Sequence, residues 1–298
     1  MKLTFLVNPI SDRGRGRAHG QGAAEKLRTK GAEIALVETQ SFRQTLEKAG
    51  LLTTNHCDVV VAVGGDGTAN AVANGLMKTA EGIRPALGLI PCGRGNDFAA
   101  NLGLNDLDSA HEALRLGRRR RVDVGKTEAG FFLGVAGAGF DSKVARRAQR
   151  QVPLLTGSMV YVFALLLTLA ELDAIPAKIS YEDGFYEGPI LFIVAGNTDR
   201  YGGGMRITPR ASLDDGLLDL CIVKPVSRFT LLRVLPRVFR GGHLDHPAVF
   251  YAKTRWVTIE STEPAELFAD GEFIQSLPVI IETLPSALEV IVPNHGAP

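Results

Sequence analysis

Two apolar segments that each end in a glycine-rich loop constrain the fold of this chain more than any other feature. The first, DVVVAV at 58–63, leads into GGDGT, and the second, PALGLIP at 85–91, leads into CGRGND. Strands that are apolar along their whole length belong in a parallel sheet with both faces covered. Because ligands of such sheets bind beyond the carboxyl ends of the strands, the two loops are expected to face one binding site.

The segments around these loops alternate between strand and helix patterns. KLTFLVNP near the N-terminus and AEIALVET at 32–39 are predicted strands, and helices are predicted over 20–30, 41–51 and 68–78. This alternation predicts a doubly wound α/β domain.

Beyond about residue 120 the pattern changes to short strands separated by turn signals, which is typical of an antiparallel β-sandwich or a mixed β domain. The chain has 298 residues, enough for two domains. We therefore expect an α/β domain over 1–125 and a β-rich domain over 126–298, with the last residues free to return to the first domain.

Composition excludes several classes of protein. The 33 basic and 32 acidic residues leave a net charge of +1, which predicts no nucleic-acid partner. Three cysteines, at 57, 92 and 221, form no CxxC pair, which argues against disulfides or a zinc site and favours a reducing cytoplasm. The apolar run at the N-terminus is too short for a signal peptide, so we predict a cytoplasmic location.

Residues 153–170 hold no charge over 18 positions, the lower limit for a membrane-spanning helix. Polar residues, glycine and proline interrupt the first part, so the apolar portion is Met159–Ala170. We predict a buried or half-buried helix and no transmembrane helix; a helix that contacts the membrane is the alternative.

A second segment, 220–244, contains no Asp or Glu. At helical spacing it places Arg233, Arg237 and Arg240 within one arc, a face that suits anionic headgroups, with Leu232 among the apolar residues on the opposite side. A solvated face is the alternative. Pro236 predicts a break into two short helical pieces.

The GGDGT loop is the strongest candidate for a functional site. Gly64, Gly65 and Gly67 allow the backbone to approach a phosphate, and N–H groups at the start of the helix at Thr68 can bind an anion. Asp66 is suited to hold a divalent cation against phosphate oxygens. The alternative is a tight strand–helix turn with a capping Asp. The loop is neither a Walker A nor a GxGxxG motif.

Further candidates follow along the chain. Arg94 of GRGND could contact a phosphate, with Asn96 or Asp97 as a helix cap, and Asn8 and Ser11 could contact a nucleotide. In the second half, GAGFD and YGGGM are glycine loops, the acidic turn at 212–219 offers oxygen ligands for Mg²⁺, and the Asp-Gly-Glu turn at 270–272 displays a carboxylate. Ordinary turns are the alternative for each.

In this order, GGDGT, PCGRGNDFA, GAGFD, GGGMRITPRASLDDGLLDL and DGE resemble the motifs of bacterial lipid kinases with a diacylglycerol-kinase catalytic domain. The resemblance runs from Asn8 to about Glu272, although GGDGT alone also occurs in NAD kinases. It implies an N-terminal α/β domain, a C-terminal β-sandwich, and an active site that binds ATP in the cleft between them.

The resemblance also implies roles for individual residues. Asp66 is expected to work with Mg²⁺ and ATP, and Glu272 to accept the proton of the lipid hydroxyl. A structural Mg²⁺ would be bound by Asp215 through its side chain and by Ser212 and Leu217 through backbone carbonyls. The expected nucleotide contacts are Asn8, Ser11, Thr39, Gly64, Gly65, Asp66, Gly67, Thr68, Asn70 and Arg94.

Three positions depart from the usual family pattern. Asp12 stands where the family has Gly, Arg94 where it has Thr or Ser, and Ala71 where it has Glu. The first and third change polar contacts in the nucleotide site, and Arg94 adds a cation that suits a phosphate.

The preferred interpretation is an ATP- and Mg²⁺-dependent lipid kinase that meets diacylglycerol or a related lipid at the inner membrane surface. A homodimer is left open. One alternative is a soluble-metabolite kinase of the NAD kinase type, against which GRGNDFA and DDGLLD argue. The other is a non-catalytic relative that binds nucleotide or lipid.

Overall fold

The computed structural model describes residues 1–53, 57–79, 84–151 and 158–294. The chain forms two compact units. The first comprises Met1–Val122 with Ser286–Pro298, and the second comprises Asp123–Pro285.

A parallel sheet is the centre of the first unit. Its strands are β1 (Lys2–Val7), β2 (Glu33–Glu38), β3 (Val59–Gly64) and β4 (Ala86–Pro91), in the order β2-β1-β3-β4. Every residue of β3 is buried, whereas β2 at the edge is largely exposed. The apolar pattern of the sequence therefore identified the central strands.

Helices cover this sheet in two packed pairs. Helix α2 (Gly16–Arg28) contacts α6 (Leu107–Leu116), and α3 (Phe42–Leu52) contacts α4 (Asp66–Met77). Both pairs also contact the strands, which confirms the doubly wound α/β prediction. Gly75 allows α3 and α4 to pack closely, because a Cβ there would lie 2.4 Å from the carbonyl oxygen of Leu46. The helical segments are α1 (Ser11–Gly14, a single turn), α2 (Gly16–Arg28), α3 (Phe42–Leu52), α4 (Asp66–Met77), α5 (Asp97–Asn101) and α6 (Leu107–Leu116).

The second unit contains two antiparallel sheets, which confirms the β-sandwich prediction. The remaining strands of the chain are β5 (Arg119–Lys126), β6 (Phe131–Phe132), β7 (Val135–Gly139), β8 (Ile175–Tyr181), β9 (Gly184–Ile190), β10 (Phe192–Gly196), β11 (Leu218–Val223), β12 (Val249–Thr254), β13 (Trp256–Glu260), β14 (Glu266–Ala269), β15 (Glu272–Ser276) and β16 (Val279–Ile291). One sheet has the order β12-β11-β10-β7-β14-β15. In the other, the first part of β16 pairs with β13, and the sheet continues to β8 and β9. Ile193 and Leu220 of the first sheet share a buried core with Ile179 and Ile281 of the second.

Three helices pack on the outer face of the six-stranded sheet. They are α7 (Phe140–Gln151), α8 (Ser158–Thr168), which continues into a 3₁₀ turn at Leu169–Glu171, and α9 (Arg228–Val238). Helix α8 is the predicted apolar helix, and the preceding 152–157 lie outside the described residues. It is half-buried: Val160 and Ala164 face the core, while Met159 and Phe163 are exposed.

The prediction that Pro236 splits α9 is wrong. The helix is continuous to Val238, with Pro236 inside it. Because Pro236 lies in the last turn, its missing N–H removes one helical hydrogen bond and the helix ends two residues later. Leu232 is also exposed, 37%, on the same side as the arginines, contrary to the predicted division of faces.

In the part of the chain that the structure describes, no helix has both the length and the apolar character needed to cross a bilayer.

Candidate functional site

Three loops meet at the carboxyl ends of the parallel strands in the first unit. The loop after β3 touches the loop after β4, since a Cβ on Gly93 would lie only 2.2 Å from the Cα of Gly65. The loop after β1 joins them through Asn8, whose side-chain amide is 3.5 Å from the hydroxyl of Thr68. The two glycine motifs and the N-terminal Asn therefore lie together.

The glycines of GGDGT serve different purposes. A Cβ on Gly64 would lie 2.2 Å from the Thr68 hydroxyl, and one on Gly65 would lie 2.9 Å from Gly93, so packing requires both to be glycine. A Cβ on Gly67 would meet no atom within 4 Å. Packing within the protein therefore does not explain a glycine at position 67. A ligand that approaches the backbone closely at this position would explain it.

Asp66 links the two glycine loops. It is the first residue of α4, and its Oδ1 accepts the backbone N–H of Phe98 at 3.2 Å. Burial raises the pKa of Asp66, while backbone N–H groups of Phe98, Asp97 and Asn96 act in the opposite direction. The carboxylate therefore orders the second loop. A carboxylate is also the type of ligand that the predicted divalent cation requires.

The second loop is closed by Asn96. Its Oδ1 accepts the N–H of Gly93 at 2.8 Å, and its backbone is left-handed, with φ of 60°. Arg94 is exposed at the tip of this loop. The loop thus combines a fixed backbone with an accessible cation.

Asp12 adopts a left-handed backbone conformation, at a position where the family usually has glycine. Its φ is 49°, in the left-handed region that glycine adopts freely and Asp tolerates. Its carboxylate accepts hydrogen bonds from His19 Nε2 at 2.7 Å and Arg15 Nη2 at 3.0 Å, and these, His19 first, lower the pKa of Asp12. The extra negative charge is therefore balanced locally.

The other predicted nucleotide contacts of the first unit have partners within the fold. Thr39 is buried; its N–H donates to the carbonyl of Val7 at 2.9 Å, and its hydroxyl accepts from Thr45 at 2.8 Å. Asn70 is buried in α4 and bonds to Asn74. Ser11 donates its N–H to the Asn8 carbonyl at 3.3 Å, within the loop after β1.

In the second unit, the predicted metal-binding turn already contains a cation. Lys253 Nζ lies 2.5 Å from Asp215 Oδ2 and 3.3 Å from Asp219 Oδ2. Burial opposes the charge of Lys253, but its bonds with these two carboxylates raise the pKa of the ammonium. Lys253 therefore stays protonated and balances the acidic turn.

The turn is held in shape from several sides. Asp215 Oδ1 accepts the N–H of Leu217 at 3.1 Å, and Ser212 donates its hydroxyl to Asp214 at 2.8 Å. Buried Asp123 accepts the N–H of Gly216 at 2.6 Å.

The predicted donor set at this turn fits a hard cation, since carboxylate and backbone carbonyl oxygens are the ligands Mg²⁺ prefers. Among the described residues, no cluster of three or more His, Cys, Asp or Glu side chains could hold a metal ion. Magnesium at Asp215 would therefore depend on backbone and water oxygens, and it would compete with Lys253.

The Asp-Gly-Glu motif is the turn of the hairpin between β14 and β15. Asp270 and Gly271 both have positive φ, 49° and 83°, the conformation of a type I′ turn. The carboxylate of Asp270 accepts the backbone N–H groups of Leu133, Gly134 and Val135 at 2.7, 2.9 and 3.1 Å. Glu272 follows, exposed, at the start of β15.

Two of the contacts that sequence reasoning missed act over long sequence separations. Lys253 neutralises Asp215 from 38 positions away, and Asp270 fixes Gly134 from 136 positions away. His19 lies closer to Asp12, but nothing in its local pattern marks it as a partner. No local signal identifies the first two pairs, because each depends on how distant strands align.

Comparisons with known proteins agree with this architecture. A sequence profile described as the diacylglycerol kinase catalytic domain matches residues 2–127, and one described as the YegS C-terminal NAD kinase beta sandwich-like domain matches residues 134–292. A diacylglycerol kinase of Staphylococcus saprophyticus is 32% identical over 294 residues, which cover 98% of this chain and 96% of that protein. One of Mycobacterium tuberculosis is 33% identical over 304 residues, covering 99% and 96%.

Solved structures show the same fold. One from Bacillus anthracis has a TM-score of 0.81 at 24% identity and covers 98% of this chain and 95% of its own. A second from that organism, described as a diacylglycerol kinase, has a TM-score of 0.76 at 23% identity and covers 98% and 97%. The matched sequence profiles and the curated relatives thus identify a kinase with an α/β catalytic domain followed by a β-sandwich-like domain. The chain belongs to the diacylglycerol kinase family, which confirms the resemblance seen in its motifs.

Proposed function

We propose that this protein is an ATP-dependent lipid kinase that requires Mg²⁺ and transfers the γ-phosphoryl group to a lipid hydroxyl, with diacylglycerol as the leading substrate. The observation that carries the proposal is the pair of glycine loops in contact at the strand ends, with no neighbouring atom within 4 Å of the Cβ position of Gly67 where α4 begins. A polyphosphate fits such a place, since backbone N–H groups and the helix dipole attract negative charge.

In the proposed reaction, the first unit binds and orients the nucleotide. Backbone N–H groups of the GGDGT loop hold phosphate oxygens, Arg94 adds positive charge, and Asn8 and Thr68 contribute polar contacts. Asp66 would hold Mg²⁺, which when bound neutralises charge on the transferred group. Positioning and charge stabilisation account for most of the catalysis in phosphoryl transfer.

Glu272 is the proposed proton acceptor. A lipid hydroxyl becomes a good nucleophile only as it loses its proton, so a carboxylate at the reacting oxygen speeds the transfer. The hairpin geometry supports this role because Asp270 fixes the turn by three hydrogen bonds and leaves Glu272 accessible.

The test is phosphoryl transfer from γ-labelled ATP with Mg²⁺ to a panel of acceptors. The panel contains diacylglycerol, phosphatidylglycerol, a sphingoid base, a prenol and NAD⁺. A labelled lipid supports the proposal and identifies the substrate. A labelled NAD⁺ product would instead make the protein a soluble-metabolite kinase, and no transfer to any acceptor would favour a binding protein.

The same assay tests Glu272. Glu272→Gln keeps the shape of the side chain but takes up no proton, so kcat should fall about 10²–10⁴-fold with little change in KM for ATP. Glu263→Gln, at another exposed glutamate of the same unit, should leave kcat unchanged. If KM for ATP rises while kcat holds, Glu272 is a nucleotide contact and not the base.

A further inference from the structure

The outward face of α8 is apolar. Met159, Phe163, Leu166 and Leu167 recur at helical spacing and are 58%, 43%, 45% and 42% exposed. The opposite side of the helix, with Val160 and Ala164, is buried against the six-stranded sheet. No charged residue occurs in α8, so water meets a continuous apolar face.

Helix α9 lies beside α8 and extends this surface. Arg228 donates to the carbonyl of Ala170, just beyond α8, at 2.9 Å. An open groove of ≈ 590 Å³ is lined by Val162 of α8 and by residues of α9 and its C-terminal end, including Leu235 and Phe239. Phe229 is 85% exposed on α9. We call this surface the helix platform; its exposed residues are Met159, Phe163, Leu166 and Leu167 of α8, Phe229, Leu232, Arg233 and Arg237 of α9, and Arg240 just after α9.

The helix platform is cationic at its α9 side. Arg233, Arg237 and Arg240 are exposed, and in the described part of the chain no carboxylate pairs with them. Arg237 and Arg240 also line the groove. Apolar side chains next to unneutralised arginines match the boundary between acyl chains and anionic headgroups.

We propose that the helix platform docks onto the surface of an anionic lipid bilayer. Phe229, Phe163 and Leu166 enter the headgroup region, and the three arginines contact lipid phosphates. A second copy of this chain fits the surface less well, because its arginines would face their own equivalents. The biological role of this docking rests on the proposed lipid-kinase function, whereas the docking itself is inferred from the surface alone.

Helix α8 also approaches the hairpin of the candidate base within the second unit. A Cβ on Gly271 would lie 3.7 Å from the hydroxyl of Tyr161, which packs on the core side of α8. The Asp-Gly-Glu turn therefore lies behind the helix that docks, on the side opposite its apolar face.

Vesicle co-sedimentation of the full chain, without nucleotide or Mg²⁺, tests the proposal. Vesicles of phosphatidylcholine alone are compared with vesicles containing phosphatidylglycerol. We expect binding to the anionic vesicles that weakens with salt. Since each arginine near an anionic surface contributes about a fivefold gain in affinity, the triple variant R233E/R237E/R240E should bind at least about a hundredfold more weakly.

Matched control variants test whether vesicle binding depends on the helix platform itself or only on the net charge and exposed apolar residues of the whole protein. Phe229→Ser should weaken vesicle binding, whereas Phe185→Ser, which is 72% exposed on β9 of the other sheet, should not. K30E/K78E/K178E changes net charge as much as the triple arginine variant and should bind like the wild type. Equal losses in platform and control variants, or no binding by the wild type, would overturn the proposal.

Two further readouts distinguish the other outcomes. Kinase activity on a short-chain diacylglycerol dispersed in detergent should be the same in wild type and platform variants, so a protein that binds vesicles but transfers no phosphate fails only the proposed function. If sedimentation velocity shows a dimer that the platform variants dissociate, while vesicle affinity does not change, the surface joins two copies of the chain and the membrane proposal is wrong.

Discussion

At the scale of single residues, the candidate site contains a carboxylate with one structural role and one proposed catalytic role. Asp66 accepts the N–H of Phe98 and thereby joins the two glycine loops. The same carboxylate is the proposed Mg²⁺ ligand. A substitution that keeps the hydrogen-bond acceptor and removes the charge can therefore separate the structural function from the catalytic one.

Asp66→Asn should fold normally and lose transfer activity by at least about a hundredfold, because it retains an oxygen for Phe98 but lacks the charge to hold a cation. Steady-state kinetics over a range of Mg²⁺ concentrations and thermal denaturation measure both effects. Asp106→Asn is the control, since Asp106 also accepts a backbone N–H, from Ser109, but caps α6. If kcat of Asp66→Asn equals that of the wild type, Asp66 is not a ligand of the catalytic Mg²⁺.

A second residue-scale feature is the carboxyl of Asp141. The sequence predicts a glycine loop at GAGFD, but the structure places these residues at the end of β7 and in the first turn of α7. The Asp141 carboxyl accepts a hydrogen bond from the hydroxyl of Tyr201 at 2.5 Å, and burial raises its pKa to about 6. In the unfolded chain the pKa is near 3.8. The folded state therefore holds the proton more tightly, and this stabilisation is complete below the unfolded pKa and lost as the pH rises through about 6.

Asp141→Asn should raise thermal stability at neutral pH. The amide still accepts from Tyr201 and carries no charge to bury, so the melting temperature should exceed that of the wild type by at least about 3 °C above pH 7. The difference should shrink towards pH 4. Thermal melts from pH 4 to 8 measure it, with exposed Asp108→Asn as control; a difference independent of pH would contradict the assignment.

At the scale of elements, the acidic turn before β11 has two candidate cations. Lys253 on β12 reaches Asp215 from the neighbouring strand. The oxygen donors of the turn also suit Mg²⁺. Binding of the metal would then require Lys253 to give up its contact with Asp215.

If Mg²⁺ binds at this turn, millimolar Mg²⁺ should raise the melting temperature without ATP, because a ligand that binds only the folded state stabilises it. Asp215→Ala should abolish that gain. Lys253→Ala removes the competing ammonium, so its stability should respond to lower Mg²⁺ concentrations than the wild type. Thermal shift titrations decide this. If Mg²⁺ changes the melting temperature equally in the wild type and both variants, the turn does not bind Mg²⁺ and Lys253 is its counter-ion.

At the scale of the whole molecule, the first unit is assembled from both ends of the chain. Residues 286–294 return to it after the second unit is complete. Val290 pairs with Leu87 of β4, and Leu288, Val290 and Ile291 are buried. Arg119 pairs with Glu289 at 3.0 Å. The final strand thus pairs beside β4 in the sheet that began at residue 2.

A chain that stops after Pro285 should not give a stable first unit. It loses at least three buried aliphatic side chains, each contributing about 1.5–3 kcal/mol, against a total stability of about 5–15 kcal/mol. A chain that stops after Asn294 keeps those residues and should melt like the full chain. Soluble yield and thermal denaturation measure the difference. A shortened protein with an unchanged melting temperature would show that the return strand is dispensable.

Much of this organisation could be predicted from local sequence. Residues 59–63 are apolar at every position and GGDGT follows at once, so strand, loop and helix could be assigned without any distant contact. Asp-Gly at 270–271 likewise identifies a hairpin turn. The same reasoning failed at Pro236, because the effect of a proline depends on how close it lies to the end of its helix.

The sequence by itself determined the two kinds of sheet, the glycine loops and the family, because these follow from periodicity and from conformational preferences of neighbouring residues. Only the tertiary structure decided which side chains meet. It distinguished Gly65, which packing requires, from Gly67, which packing leaves open; it paired Lys253 with Asp215 and left one face of α8 in water. Such outcomes depend on the alignment of distant segments, and a linear pattern of residue types carries no record of that alignment.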